Sequence, residues 1–289
     1  MLRDEAADTE ETEVAAGERF DFGENWQRFL SVLSEERIVL AERSLTEMLG
    51  VDTLRGETFL DVGCGSGLFS LAARRLGASV VSFDYDATCV ACAEELRQRF
   101  FRGDPQWTIR QGSILDAALV RSLGVFDVVY AWGVLHHTGA LQAALENVAK
   151  VVANGGKLFV AIYNDQGIRS VFWRRVKRIH CSSVAGRWTT SALFIPYFIL
   201  GGVVADLTRG KNPLARYRTS GTPRGMSRVR DWFDWLGGLP FEVAKPEVVF
   251  DFFARRGFSL IRMTTCGGKW GCNEFVFVKD HTEPPLVRP

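Results

Sequence analysis

The stretch Phe59-Leu60-Asp61-Val62-Gly63-Cys64-Gly65-Ser66-Gly67 sets a glycine-rich turn directly behind an apolar run, and Ser82-Phe83-Asp84 closes the next apolar run with a carboxylate. Such a stretch reads as strand, tight turn, helix and second strand, with the turn and the acidic residue brought to one end of the two strands. Glycines let the backbone approach a ligand without a side chain in the way. An ionised carboxylate has two oxygens and only accepts hydrogen bonds, which suits Asp84 to a ribose diol. Turn and carboxylate together point to an adenosine-containing cofactor. The third glycine stands at Gly67, whereas a dinucleotide fingerprint needs it at position 68, which is Leu68. That spacing points away from NAD.

The pattern then continues through Leu68 to Leu76, Ser79 to Asp84, Ala87 to Phe101, Trp107 to Arg110, Phe126 to Trp132, Leu141 to Val152 and Lys157 to Tyr163. Helix and strand periods alternate along it, so the chain is expected to be α/β, a parallel sheet with right-handed crossovers and helices on both faces. Val80-Val81 and Val128-Val129 suit strands buried on both sides. The alternation stops at residue 164 and resumes at Pro246, with a helix from Glu247 to Arg256 and strands from Phe258 to Thr264 and Glu274 to Val278 around Gly267-Gly268. A segment that long is expected to be a functional insertion. The divisions read from this pattern are an acidic tail at 1–19, N-terminal helices at 20–56, a core at 57–163 and 246–280, and an insertion at 164–245. Residues 25–49 read as one or two helices that could cover the cofactor cleft.

At 289 residues and 47% hydrophobic content the chain has material for one large core carrying an insertion. Lys and Arg number 35 against 34 Asp and Glu, so no global electrostatic case exists for a nucleic-acid partner. Residues 4–18 concentrate seven acidic side chains and read as a mobile tail. No apolar signal-peptide core opens the chain, which argues for the cytoplasm. The six cysteines are scattered and expected to be free thiols. Cys89 and Cys92 form a CxxC within a helical pattern, but a second ligand pair of matching spacing is missing, so no metal is expected.

With the later run Phe126-Asp127-Val128-Val129-Tyr130-Ala131-Trp132-Gly133-Val134-Leu135-His136-His137, these features resemble a class I S-adenosylmethionine-dependent methyltransferase, over roughly 57–163 and again from about 246. The resemblance, closest in organisation to small-molecule enzymes of the ubiquinone-biosynthesis type, implies a Rossmann-like, seven-stranded and mostly parallel sheet closed by an antiparallel hairpin. It implies S-adenosylmethionine as cofactor, held by Asp61, Gly63, Cys64, Gly65, Gly67, Asp84, Tyr85, Ser113, Ile114 and Trp132. Asp61 would face the methionine end. Ser113 departs from the acidic residue many relatives place there, with Asp116 as a substitute adenine partner, and Ile114 would pack against the ring. Trp132 or Tyr85 would set an aromatic face near the sulfonium. His136 or His137 would take a proton from the acceptor, or else shape the start of the next helix. His137 aligns with the histidine more usual in quinol-type relatives. Tyr163, Asn164, Arg228, Trp232 and Asn273 are the expected substrate contacts, with Cys266 beside Asn273.

The family often carries a substrate lid after its fifth strand, where the insertion falls. Ile168, Val171, Phe172, Val176 and Ile179 recur at helical spacing, with Arg169, Arg174, Arg175, Lys177 and Arg178 on the polar side. Ala192 to Ala205 is an apolar run too short for a spanning helix and interrupted by Pro196 and Gly201-Gly202. Two readings fit segment 168–205: an interfacial membrane contact, or a lid whose apolar side roofs an oily pocket. The lid is preferred, because apolar runs of this length are more often buried. Arg224, Arg228 and Arg230 with Trp232 and Trp235 could clamp an anionic or aromatic substrate. The function expected is methyl transfer to a small, hydrophobic acceptor, with oxygen favoured over nitrogen, sulfur or carbon. The alternatives are a methyltransferase-fold binding module that docks through its insertion on a membrane or partner, and a nicotinamide oxidoreductase.

Overall fold

In a computed structural model, which describes residues 12–14, 16–20, 22–213, 232, 235–268 and 270–281, the apolar runs assemble into one seven-stranded sheet. Helices α1 (Phe22–Leu30) and α2 (Glu35–Leu49) precede it. The alternating unit follows as β1 (Thr58–Val62), α3 (Leu68–Arg75), β2 (Ser79–Asp84), α4 (Ala87–Phe100), β3 (Trp107–Gln111), α5 (Ala117–Leu123), β4 (Phe126–Trp132), α6 (Leu141–Lys150) and β5 (Val152–Tyr163). The insertion contributes α7 (Ile168–Ser182) and α8 (Val184–Leu207), and the chain closes with α9 (Pro246–Ala254), β6 (Phe258–Thr264) and β7 (Cys272–Lys279). Strand order is β3-β2-β1-β4-β5-β7-β6. β1 to β5 are parallel, and β7 lies antiparallel between β5 and β6. This is the Rossmann-like sheet with its terminal hairpin.

Period-two alternation sorts the strand residues between two cores. Phe59, Val128, Tyr130, Phe159 and Val276 pack with the side of α2, α3 and Trp107. Leu60, Val62, Val129, Ala131, Val160 and Phe275 pack with α6 and α9 on the other. Because β1 and β4 are neighbours while their following connections leave in opposite directions, a crevice opens at their carboxyl ends, where open α/β sheets bind ligands. The glycine turn and the Trp132–His137 segment are its two walls.

Gly67 has φ +79 and a Cβ placed there would lie 2.8 Å from the Ala93 Cα, so its missing side chain lets α3 and α4 meet. Gly67→Ala is expected to lower unfolding stability by about 2–4 kcal/mol, from left-handed strain plus overpacking. Chemical denaturation followed by circular dichroism measures it.

The structure revises three expectations. The tail does not extend to residue 19: Arg19 pairs with Glu13 at 2.6 Å, the Phe20 N–H donates to the Leu239 carbonyl at 3.2 Å, and Gly17 lies against the Cys181 carbonyl. An acidic composition poor in apolar side chains suggested a mobile tail, but Glu13 has a cation to meet. Second, α8 runs unbroken through Pro196 and the glycine pair, 24 residues in all. A proline removes one hydrogen bond of the ladder, and the helix on either side is long enough to continue. Third, the faces of α7 are not those of a soluble amphipathic helix. Ser170, Trp173, Val176, Lys177 and His180 are buried, while Ile168, Val171, Phe172 and Ile179 are exposed among the arginines. The apolar run of α8 is also largely exposed, while Phe194, Ile195 and Phe198 pack into an aromatic cluster with Trp173 and Trp270. Arg224, Arg228 and Arg230 lie outside the described residues.

Candidate active site

All three turn glycines have positive φ, at 67, 53 and 79 degrees for Gly63, Gly65 and Gly67. Each also faces a close neighbour, since a Cβ on Gly63 would fall 2.4 Å from Val134 and one on Gly65 would fall 3.0 Å from the Trp26 indole. Four N–H groups of this turn, those of its three glycines among them, are spent inside the protein. Gly63 and Cys64 donate to the Phe83 carbonyl at 2.9 and 3.0 Å, Gly67 to the Cys64 carbonyl at 2.8 Å, and Gly65 to Asp84 Oδ2 at 2.8 Å. The glycines therefore serve shape and close approach rather than a row of ligand-facing donors. The Cys64 thiol is buried, which pushes its pKa up and keeps it un-ionised.

Asp84 accepts from Gly65 through one oxygen and from the Asp86 N–H, at 3.1 Å, through the other. A carboxylate has about four acceptor positions, so these two bonds leave it capacity toward a diol. Burial raises its pKa to about 6, an effect that the Gly65 N–H partly offsets. The helix-cap role belongs to Asp86, which accepts from Thr88 and Cys89 at the start of α4.

Asp61 is buried at the end of a chain of hydroxyls. Ser70 Oγ donates to its carboxylate at 2.5 Å, which uses the single Ser70 proton. The 2.7 Å contact between Ser82 and Ser70 must then have Ser82 as donor, and Trp107 Nε1 donates to Ser82 at 3.0 Å. Every proton in the row points toward Asp61, which fixes the carboxylate at the base of the turn. Burial raises its pKa to about 7, with the neighbouring Asp84 charge adding to the rise.

Along the adenine rim, Ser113 Oγ accepts the Leu115 N–H at 3.1 Å and Ile114 is buried in the core. Asp116 caps α5 by accepting from Ala118 and Leu119 through one carboxylate oxygen. The Trp132 indole donates to Glu274 on β7 at 2.9 Å. The Tyr85 ring lies under a cation of the protein itself, the Arg19 guanidinium, at 4.7 Å. For both aromatics a polar or cationic partner is supplied by the protein itself.

Both histidines are buried. His137 Nδ1 lies 2.7 Å from the Pro240 carbonyl. A carbonyl can only accept, so Nδ1 carries the proton and Nε2 is the ring's acceptor. Burial, reinforced by the Lys177 charge, lowers the pKa of His137 to about 3, and that of His136 well below the usual imidazole range. Both are neutral at physiological pH. Neither nitrogen of His136 has a hydrogen-bond partner among the described residues. Its ring lies 3.9 Å from that of Tyr163, which meets His137 edge-on at 5.3 Å.

Asn164 and Asn273 bond each other at 3.0 Å, and Asn273 Oδ1 also accepts the Cys266 N–H at 3.2 Å. Asn273 is 1% exposed. The pair pins the β6–β7 loop to the end of β5, a bracing role in place of the expected substrate contact. Trp232 lies 6.0 Å from Phe198 in the insertion's aromatic cluster.

Two groups at the site were not singled out by sequence reasoning. Lys177 is fully buried, its ammonium 4.7 Å from the Trp235 and Phe241 rings and 5.7 Å from that of Tyr163, and it donates to the Trp235 carbonyl. The signal was its spacing with Trp173, Val176 and His180, which puts all four on one helical face. The second group is the segment around α1. Trp26 covers Gly65, Gly23 touches Asp86, Phe22 meets the His137 ring at 5.1 Å, and Arg19 donates to the His137 carbonyl at 3.3 Å. Helices over the cleft were expected, though not these contacts.

Residues 60–158 match the family model described as a methyltransferase domain. An uncharacterized methyltransferase of Mycobacterium tuberculosis is 30% identical over 136 residues, 46% of this chain and 66% of that protein. A ubiquinone biosynthesis O-methyltransferase of Xanthomonas oryzae pv. oryzae is 35% identical over 111 residues, 38% of this chain and 45% of the relative. The chain thus spans just under two thirds of the first relative and under half of the second. Among solved structures, an O-methyltransferase family protein from Burkholderia thailandensis superposes with a TM-score of 0.51 at 12% identity, over 85% of this chain and 58% of that one. At that identity the likeness is one of fold.

Proposed function

We propose that this chain, whose residues 60–158 form a class I S-adenosylmethionine-dependent methyltransferase domain, methylates a hydroxyl oxygen on a small, apolar acceptor. The residues fit the cofactor: Asp84 keeps acceptor capacity toward a ribose diol, and Asp61 offers a fixed carboxylate to an amino group. S-adenosylmethionine supplies a methyl group on a sulfonium, a leaving group that is already activated. What remains for the protein is to align the acceptor, exclude water and remove a proton.

The fixed tautomer of His137 is the observation that carries the oxygen reading. Its Nε2 lone pair is the proton acceptor. A pKa of about 3 makes it a weak base in the resting enzyme. A hydroxyl becomes strongly acidic as its oxygen gains a methyl group, so a weak base suffices and none stronger is needed. Tyr163, Trp235 and Phe241 give the neighbouring wall an apolar, aromatic character that favours a flat, oily acceptor. The relative named for O-methylation in ubiquinone biosynthesis agrees with this chemistry.

The test is transfer of labelled methyl from S-adenosylmethionine to a panel of hydrophobic phenols and quinols beside amines and thiols of similar shape. Label recovered in an ether supports the reading, and label only in the amine or thiol products overturns it. Tight S-adenosylhomocysteine binding with no transfer to any acceptor favours a binding module, and NAD binding in its place favours an oxidoreductase.

Asp84 also sets a pH dependence. With its pKa at about 6, the carboxylate is ionised at pH 8 and mostly protonated at pH 5. A diol donates better to the ionised form, so binding releases a proton below that pKa and weakens as pH falls. Affinity for S-adenosylhomocysteine is expected to drop about tenfold between pH 8 and pH 5 by linkage. Calorimetry at the two values measures this, and an unchanged affinity contradicts the assignment. Asp61, also raised, acts in the same direction.

A further inference from the structure

We infer that α7 and α8 dock this protein on the surface of an anionic lipid bilayer. The inference is independent of which acceptor is methylated.

The outer faces of the two helices are what a soluble protein avoids. On α8, Leu193, Leu200 and Leu207 recur at seven-residue intervals and are 66%, 63% and 62% exposed, and Trp188 near its start is 73% exposed. The helix has a stretch of mean hydropathy 1.6, of which 17% is buried. Scattered exposed leucines are ordinary, whereas a contiguous apolar patch on a monomer marks an interaction surface. Neighbouring α7 sets Ile168, Phe172 and Ile179 on the same outward side as Arg175, with Arg178 beside them. Its buried side takes Ser170, Lys177 and His180 together with Trp173 and Val176. Exposed apolar groups interleaved with arginine are the arrangement of a helix lying in a headgroup layer.

Charge identifies the occupant. Residues 168–211 carry eight Lys and Arg against one acidic residue, Asp206, which is buried. The remainder of the chain has 27 Lys and Arg against 33 Asp and Glu. The basic stretch is therefore also the apolar one, and Lys177 is its one buried cation. An anionic bilayer attracts such a stretch and holds the molecule by it. A second copy of this chain would bring the same positive patch against itself, and an apolar protein groove would leave the arginines without partners. The length of α8 is sufficient to cross a bilayer, but Asp206 and the packing of α8 on Trp173 and Trp270 through Phe198 tie it to the protein body. It lies along the surface.

Co-sedimentation of the full chain with vesicles of phosphatidylcholine alone, or mixed with phosphatidylglycerol, tests the inference. The protein is expected to pellet with the mixed vesicles at least about tenfold better than with the neutral ones, and to be released by salt. The double variants L193E/L200E and R175E/R178E are each expected to lose that binding by more than about tenfold. S-adenosylhomocysteine binding is to be measured on both, because they change only exposed residues of the insertion. Retained cofactor binding with lost sedimentation supports the inference. Absence of the full chain from mixed-vesicle pellets overturns it, as does unchanged binding of both variants. Self-association that consumes the same face without vesicles overturns it in favour of a second copy. If both variants lose the cofactor as well, L200E alone and R178E alone decide by the same comparison. A failure of methyl transfer in the presence of vesicle binding would fall on the proposed function and leave this inference standing.

Discussion

Replacing Asp84 by alanine is expected to weaken binding of S-adenosylhomocysteine by about 10²–10⁴-fold, from the loss of two hydrogen bonds to a charged acceptor. Asp84 also accepts the Gly65 N–H at 2.8 Å, so part of the loss comes through the turn. Asp84→Asn separates the two contributions, because its amide oxygen still accepts one bond. The asparagine variant is expected to fall between wild type and alanine, with the turn retained. Stability should move the other way from affinity. Burial raises the Asp84 pKa to about 6, so the ionised group is disfavoured in the folded state relative to the unfolded one. Between the unfolded carboxylate range near pH 4 and pH 6 the native state holds the extra proton, and its stability falls as pH rises across that window. Calorimetric titration of the two variants with S-adenosylhomocysteine is the measurement. Affinity within threefold or so of wild type in the alanine variant would mean the cofactor lies elsewhere.

The second large effect is on turnover. His137→Ala is expected to lower kcat by about 10²–10⁴-fold, the usual range for losing a positioned general base. Affinity for S-adenosylhomocysteine should change far less, since the histidine does not touch Asp84, Asp61 or the glycine turn in the contacts described above. The pH profile carries a second signature. Because the His137 pKa is lowered to about 3, chiefly by burial, the ring is neutral from pH 5 to pH 8 and contributes no fall in kcat across that range. Any acid limb near pH 6 to 7 under subsaturating cofactor should follow the carboxylates instead. Unchanged kcat in the variant, with a product still formed on oxygen, would remove His137 from the chemistry and leave it as a brace between Pro240 and Phe22.

The donor half of the site was legible because its determinants are local. Glycine spacing, the strand-end carboxylates Asp61 and Asp84, and the order of helices and strands all lie within one unit of sequence, and each constrains the backbone directly. Asp116 was ambiguous for the same local reason. An aspartate before a helix can cap it or meet a ligand, and only the position of two N–H groups decides. The rest depended on contacts made at long range. Asn273 looked like a loop residue over a cleft, yet its partner is Asn164, 109 positions earlier. Lys177 looked like one more member of a basic face, and aromatic rings from the 235–241 return segment enclose it instead. The insertion misled composition-based reasoning in both directions. Pro196 and the glycine pair suggested a break that a 24-residue helix absorbs, and the preferred reading turned the apolar run inward, where the structure leaves much of it exposed.

The segment around α1 has a consequence for how the molecule is made. Residues 17–22 touch Cys181, Gly237, Leu239 and His137, contacts separated from them by more than a hundred positions. During synthesis this segment leaves the ribosome before the insertion and the return segment, and waits for its docking surface until they have emerged. The sheet from β1 to β5 can pair meanwhile, since its neighbours arrive close together. The wall over His137 is thus the earliest part of the site to be translated and the last to be seated.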